Sequence, residues 1–155
     1  MRAMQHEYPG LEVLTFYSYS YFAAVTSNAD PHVRDEALRQ DASGLLPSFF
    51  DGMLEAADSH VRIIDGHERS YYYETPANFS AAAAEVRRTA LMYVSPELKR
   101  KYVRQYQVAQ PVYIDWIFNL LESPSHGAPA RLTAVERAQL AEHNTYYAMK
   151  NGLIQ

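Results

Sequence analysis

Apolar side chains recur at steps of three and four through the middle of the chain. Phe79, Ala83, Val86, Ala90 and Tyr93 fall on one helical face. The alanines from Ala81 to Ala84 add the strongest intrinsic helix propensity. Ser95-Pro96-Glu97 predicts a second start, with Ser95 as N-cap, Pro96 at the first position and Glu97 against the positive end of the helix dipole. From there Leu98, Tyr102, Tyr106, Ala109, Tyr113, Trp116 or Ile117, and Leu120 prolong the stripe to Glu122. Pro111 lies inside it and costs a helix roughly 3 kcal/mol. Because the stripe keeps its phase, the expectation is a kink at Pro111 with both halves facing one core.

The flanks are read the same way. Met1 to Gly10 is polar and ends in a Pro9-Gly10 turn signal. Leu11 to Val25 is ambiguous. As a helix it aligns Leu11, Leu14, Ser18, Tyr21 or Phe22, and Val25; as a strand it alternates Tyr17, Tyr19 and Tyr21 with Ser18 and Ser20. Its length without a breaker favours a helix. Asp30-Pro31 opens another helix, running to about Asp41 with Val33 and Ala37 as a thin apolar face, and Ser43-Gly44 closes it. Leu46, Phe50, Leu54 or Met53, Ala57, Val61 and Ile64 then mark an amphipathic helix whose opposite face carries Asp51, Glu55, Asp58 and Arg62. Asp65-Gly66 is a turn signal whose flanks could pair as one short β-hairpin. Residues 123–131, rich in proline, glycine and serine, read as a linker before a C-terminal helix. That helix starts at the capping box Thr133 to Glu136, ends at Asn151-Gly152 and offers a narrow face of Ala134, Ala138, Ala141 and Ala148. The fold class expected is mainly α, a helical bundle of about five to six helices forming a single domain over 1–155.

Composition supports a globular chain. At 155 residues, with 48% hydrophobic and 21% charged, there is enough material for a core. The absence of cysteine removes disulfides, thiolate metal sites and cysteine nucleophiles. Val13 to Ala29 carries no charge, but its hydroxyl and amide side chains and its length argue against a membrane span, and no signal peptide is read. The expected location is the cytoplasm or the inside of a particle. The net charge of −4 is uneven, since Arg87, Arg88, Lys99, Arg100, Lys101 and Arg104 meet only Glu85 and Glu97 locally. Such segregation suits contact between basic and acidic patches or an anionic ligand.

Thirteen tyrosines are the compositional oddity. A tyrosine combines ring area with a polar tip and is enriched at interfaces. Tyr17, Tyr19, Tyr21, Tyr71, Tyr72 and Tyr73 are therefore the expected interface anchors. Candidate chemistry is thin. Glu55, Asp58, His60 and His67 lie close together without diagnostic metal-ligand spacing, and Asp58 and Arg62 are placed for a solvated ion pair. No phosphate-binding loop or nucleophile elbow occurs, and no metal or cofactor is expected. The basic residues interleaved with tyrosines from Arg87 to Tyr106 have the composition of a nucleic-acid patch, against an acidic pI of about 5.8. The leading expectation is a non-enzymatic structural or assembly subunit, a virion or filament component for example. It would dock other copies of itself or other protein chains through its tyrosine-rich faces. One alternative is a small helical enzyme or ligand-binding protein with an aromatic-lined pocket, using Trp116 and His60, His67 or Asp115. The other is a nucleic-acid-binding protein.

Overall fold

The computed structural model describes residues 1–73, 75–112, 117, 133–151 and 153–154. The chain is mainly helical with a small parallel sheet. In order come α1 (Arg2–Glu7), β1 (Glu12–Thr15), a 3-10 helix (Tyr19–Ala24), α2 (Pro31–Gln40), α3 (Leu46–Ala56) and β2 (Arg62–Asp65). A 3-10 helix (Glu68–Tyr72), α4 (Pro76–Ala84), α5 (Lys99–Gln105), β3 (Tyr106–Gln110), α6 (Ala134–Asn151) and β4 (Leu153–Ile154) follow. The expected linker at 123–131, together with Tyr113, Asp115, Trp116 and Leu120, lies outside the described residues.

The helical readings with strong local signals hold. Asp30 caps α2 by accepting from the His32 amide at 2.9 Å. Thr133 and Glu136 form the capping box of α6, Glu136 Oε2 accepting from the Thr133 amide at 2.8 Å. Phe79, Ala83, Val86, Ala90 and Tyr93 are all buried along α4, its π turn (Glu85–Thr89) and a 3-10 turn (Ala90–Met92).

The strands correct three expectations. Leu11 to Val25 is not one helix: β1 pairs in parallel with β2 in the register Glu12↔Arg62 to Thr15↔Asp65, and the 3-10 helix then buries Tyr19 and Phe22. The amphipathic helix from Leu46 stops at Ala56 instead of reaching Ile64. Asp58 turns the chain there, its Oδ1 accepting from the amides of His60 at 2.8 Å and Val61 at 3.3 Å, and so forms no ion pair with Arg62. Lys101 Nζ reaches the helix-end carbonyls of Glu55, at 2.9 Å, and Ala57. Third, the stripe through Pro111 is not a kinked helix, because α5 ends at Gln105 and Ile63↔Tyr106 to Asp65↔Val108 pair β2 with β3. Pro111, which lacks a backbone donor, simply follows the strand.

The expected hairpin at Asp65-Gly66 is likewise replaced. The run before the turn is a strand, but both its partners are parallel to it, and the run after it is a 3-10 helix. Ser95 caps nothing with its side chain; its Oγ is hydrogen-bonded to Asp51. In α6 the inward stripe is centred on Asn144 and Ala148, whereas Ala134 and Ala138 are exposed. The Asn144 amide explains this phase, since its Nδ2 donates to the Tyr73 carbonyl at 2.7 Å.

The four strands lie in sequential order, each parallel to the next. Side chains alternate across the sheet. The face bearing Ile63, Asp65 and Val108 is buried, while the opposite face bears Leu14 at 46% exposure and the half-buried Ile64 and Gln107. Helical segments cover the first face, in a core of Tyr19, Phe22, Phe50, Leu54, Ile63, Ala90, Tyr93 and Tyr102. Strands that all run one way deliver their carboxyl ends to one edge, where ligands of parallel sheets bind.

Candidate crevice at the carboxyl ends of the strands

Two segments meet at that edge. After β1 the chain supplies Phe16, Tyr17, Ser20 and Tyr21; after β2 it supplies His67, Glu68, Arg69, Tyr71 and Tyr72. Together they line a cavity of about 310 Å³, within the range of small-molecule sites.

The local build begins at Asp65. Its side chain is fully buried, and Oδ1 accepts from the His67 amide at 3.0 Å across Gly66. Burial pushes the Asp65 carboxyl up, against the neighbouring Ser20 and His67, which pull it down. His67 takes a left-handed φ of 43°, alone among the described non-glycine residues. Strain of this kind persists only where surrounding contacts impose it, and it gathers at functional sites. Here the contacts are identifiable: Ser70 donates from its amide and from Oγ to the His67 carbonyl, both at 2.8 Å. The Gly66 amide donates to the Thr15 carbonyl at 2.8 Å, which clamps the turn to the end of β1.

Behind the turn, α4 changes to a π turn at Glu85, and π turns are frequent at functional sites. The Glu85 carboxylate lies 3.3 Å from His67 Nε2 and pairs with Arg69, whose guanidinium also donates to the Ser20 carbonyl at 3.1 Å. His67 is buried, and its Nδ1 has no hydrogen-bond partner among the described residues. On the open side the neighbouring Glu68 carboxylate raises the Tyr17 phenol above its ordinary value. The Tyr17 and Tyr21 rings meet edge to face at 5.4 Å, and those of Tyr71 and Tyr72 at 6.4 Å.

The six tyrosines expected at an interface therefore have different places. Tyr19 is fully buried in the core, against Phe50, Tyr102 and Tyr106. Tyr73 is half-buried under Phe79, with the two rings 5.5 Å apart. Tyr17, Tyr21, Tyr71 and Tyr72 come together on the crevice. Of the six basic residues, Arg87 donates to the Asn151 carbonyl at 2.9 Å, and Lys101 lines a concavity with Arg62 and Arg104. Arg88, Lys99 and Arg100 are exposed. His60 sits on an exposed turn, apart from His67. Among the described residues no group of three or more histidine, aspartate and glutamate side chains could hold a metal ion.

Sequence reasoning missed Phe16, Ser20, Asp65, Glu68, Arg69 and Glu85 as site residues. A signal existed in Asp65-Gly66-His67-Glu68-Arg69, a dense polar run directly after Val61, Ile63 and Ile64. The hairpin reading hid it by treating the run as a second strand. No helix among the described residues is long and apolar enough to cross a membrane. Compared with protein-family models, curated protein sequences and solved structures, the chain matches none of them, so its functional reading rests on its own residues and geometry.

Proposed function

We propose that the chain binds a small ring-shaped molecule in the crevice at the carboxyl ends of β1 and β2. The observation that carries this reading is convergence. Tyrosines some fifty residues apart in sequence, Tyr17 and Tyr21 on one side and Tyr71 and Tyr72 on the other, line one concavity beside His67, Glu68 and Arg69. Rings offer a ligand broad contact at small entropic cost, and the polar groups fix its orientation. The strained, doubly anchored His67 and the Glu85–Arg69 pair hold the wall in place before any ligand arrives.

Ligand-observed NMR with a panel of small ring compounds (pyranosides, nucleosides and phenols) tests it. The expected result is binding by at least one class, weakened about tenfold in Tyr71→Ala, in line with stacking losses at aromatic platforms. Binding by no class, or equal binding by Tyr71→Ala, would refute it.

A second reading, docking of another chain or copy, is favoured by Leu45 and Phe49, which leave 85% and 58% of their surface exposed at the start of α3. Light scattering over a concentration series checks this reading. A strict monomer at high concentration, with no partner in a pull-down, would remove it.

A further inference from the structure

We propose that the ligand of this crevice is a neutral polyhydroxylated ring of the pyranose class, and that Glu68 is the specificity-determining acceptor for its hydroxyls. The inference rests on the crevice being a binding site and narrows what it takes. Size comes first: about 310 Å³ lies at the lower limit for ligand pockets and suits a single ring.

Polarity separates a sugar from an organic cation. Tyrosine walls around a carboxylate would also attract a quaternary ammonium group. Yet the walls carry donors and acceptors together: the Ser20 and tyrosine hydroxyls, the Arg69 guanidinium, the Glu68 carboxylate and the His67 imidazole. A ligand without hydrogen-bonding groups would strip water from these atoms and leave them unpaired, which is the strongest basis for rejecting an analogue. A ring bearing hydroxyls both donates and accepts, while its C–H faces lie on the tyrosine rings.

Charge separates a sugar from an anion. Arg69 is spent on Glu85, and His67 Nε2 faces the same carboxylate at 3.3 Å. Among the described lining residues Glu68 is left as the uncompensated charge, and it is negative. A phosphorylated or carboxylated ligand would meet repulsion there. The Tyr17 ring lines the same crevice as Glu68, and a carboxylate has about four acceptor positions, enough to take two adjacent hydroxyls.

The test titrates the full chain with methyl glucopyranoside, galactopyranoside and mannopyranoside, with choline, and with glucose 6-phosphate, following tyrosine ring signals by NMR. The expected outcome is binding of at least one neutral pyranoside in preference to choline and the phosphate. Glu68→Gln should weaken it by about tenfold or more, since a charged acceptor is lost. Tyr17→Phe, which keeps the ring and removes one hydroxyl of the crevice wall, should weaken it severalfold. It carries the test alone if Glu68→Gln fails to fold by circular dichroism. Preference for choline or for the phosphate, or unchanged affinity in both variants, would overturn the pyranose assignment while leaving the crevice a binding site. Silence from all five probes and from the ring-compound panel would overturn both.

Discussion

Tyr19 separates a tyrosine that builds the interior from one that faces a partner, and its energetics can be worked out from its contacts. The ring is fully buried and lies 5.5 Å from Phe50, 5.6 Å from Tyr102 and 5.5 Å from Tyr106, centre to centre. Its hydroxyl donates to Asp51 Oδ1 at 2.7 Å. Tyr19→Phe keeps the packing and removes one hydrogen bond to a carboxylate, a loss of about 1.5–3 kcal/mol. The lower part of that range is expected, because Ser95 still donates to Asp51 from its amide and Oγ. Tyr19→Ala also opens a cavity among three rings, at about 3–5 kcal/mol for an aromatic truncation. Together these losses rival the whole stability of a typical domain, about 5–15 kcal/mol. The assay is urea unfolding followed by far-ultraviolet circular dichroism, with Tyr17→Phe as a control expected to stay within about 0.5 kcal/mol. Unfolding of Tyr19→Phe and Tyr17→Phe at the same urea concentration would refute the placement of Tyr19 in the core.

Two further predictions concern pH and packing. Burial is the main cause that raises the phenols of Tyr19, Tyr102 and Tyr106 above the ordinary 10.0, so the folded state favours their protonated form. Their contribution is fully present below about pH 10 and is lost as pH rises past it, by roughly 4 kcal/mol per pH unit for three such groups. Absorbance at 295 nm checks this, since these phenols should ionise only as circular dichroism is lost, and ionisation of every tyrosine before unfolding would contradict it. At Gly44 an added Cβ would stand 1.8 Å from the Leu38 carbonyl oxygen, whereas at Gly52, inside α3, it would meet nothing within 4 Å. Gly44→Ala is expected to destabilise by about 1–3 kcal/mol and Gly52→Ala to stabilise by about 0.5–1 kcal/mol. Thermal unfolding that moves both variants in one direction would count against the packing described.

What could be read from the sequence was set by short range. The caps at Asp30 and Thr133 depend on residues two or three positions away, and the stripe from Phe79 to Tyr93 needs only the helical period to declare its buried face. The same rules misassigned Leu11 to Val25 and the chain around Ile64 and Tyr106. A strand of four or five residues is too brief for its periodicity to exclude a helix. What makes these segments strands is hydrogen bonding to partners far along the chain, as in Val13↔Ile63 and Ile63↔Tyr106. The basic residues looked like a single patch because they are close in sequence, yet Arg87 turns to the end of α6 and Lys101 to the end of α3.

The tyrosines divide along the same line. Their number and their polar tips were plain in the composition. Which of them became core, as Tyr19 did, and which became crevice wall, as Tyr17 and Tyr71 did, was decided only when the parallel strands brought two distant turns to one edge. Local sequence encodes helix starts, stops and buried faces because those energies act between near neighbours. The site depends on contacts across the whole fold, and only the tertiary structure specifies them.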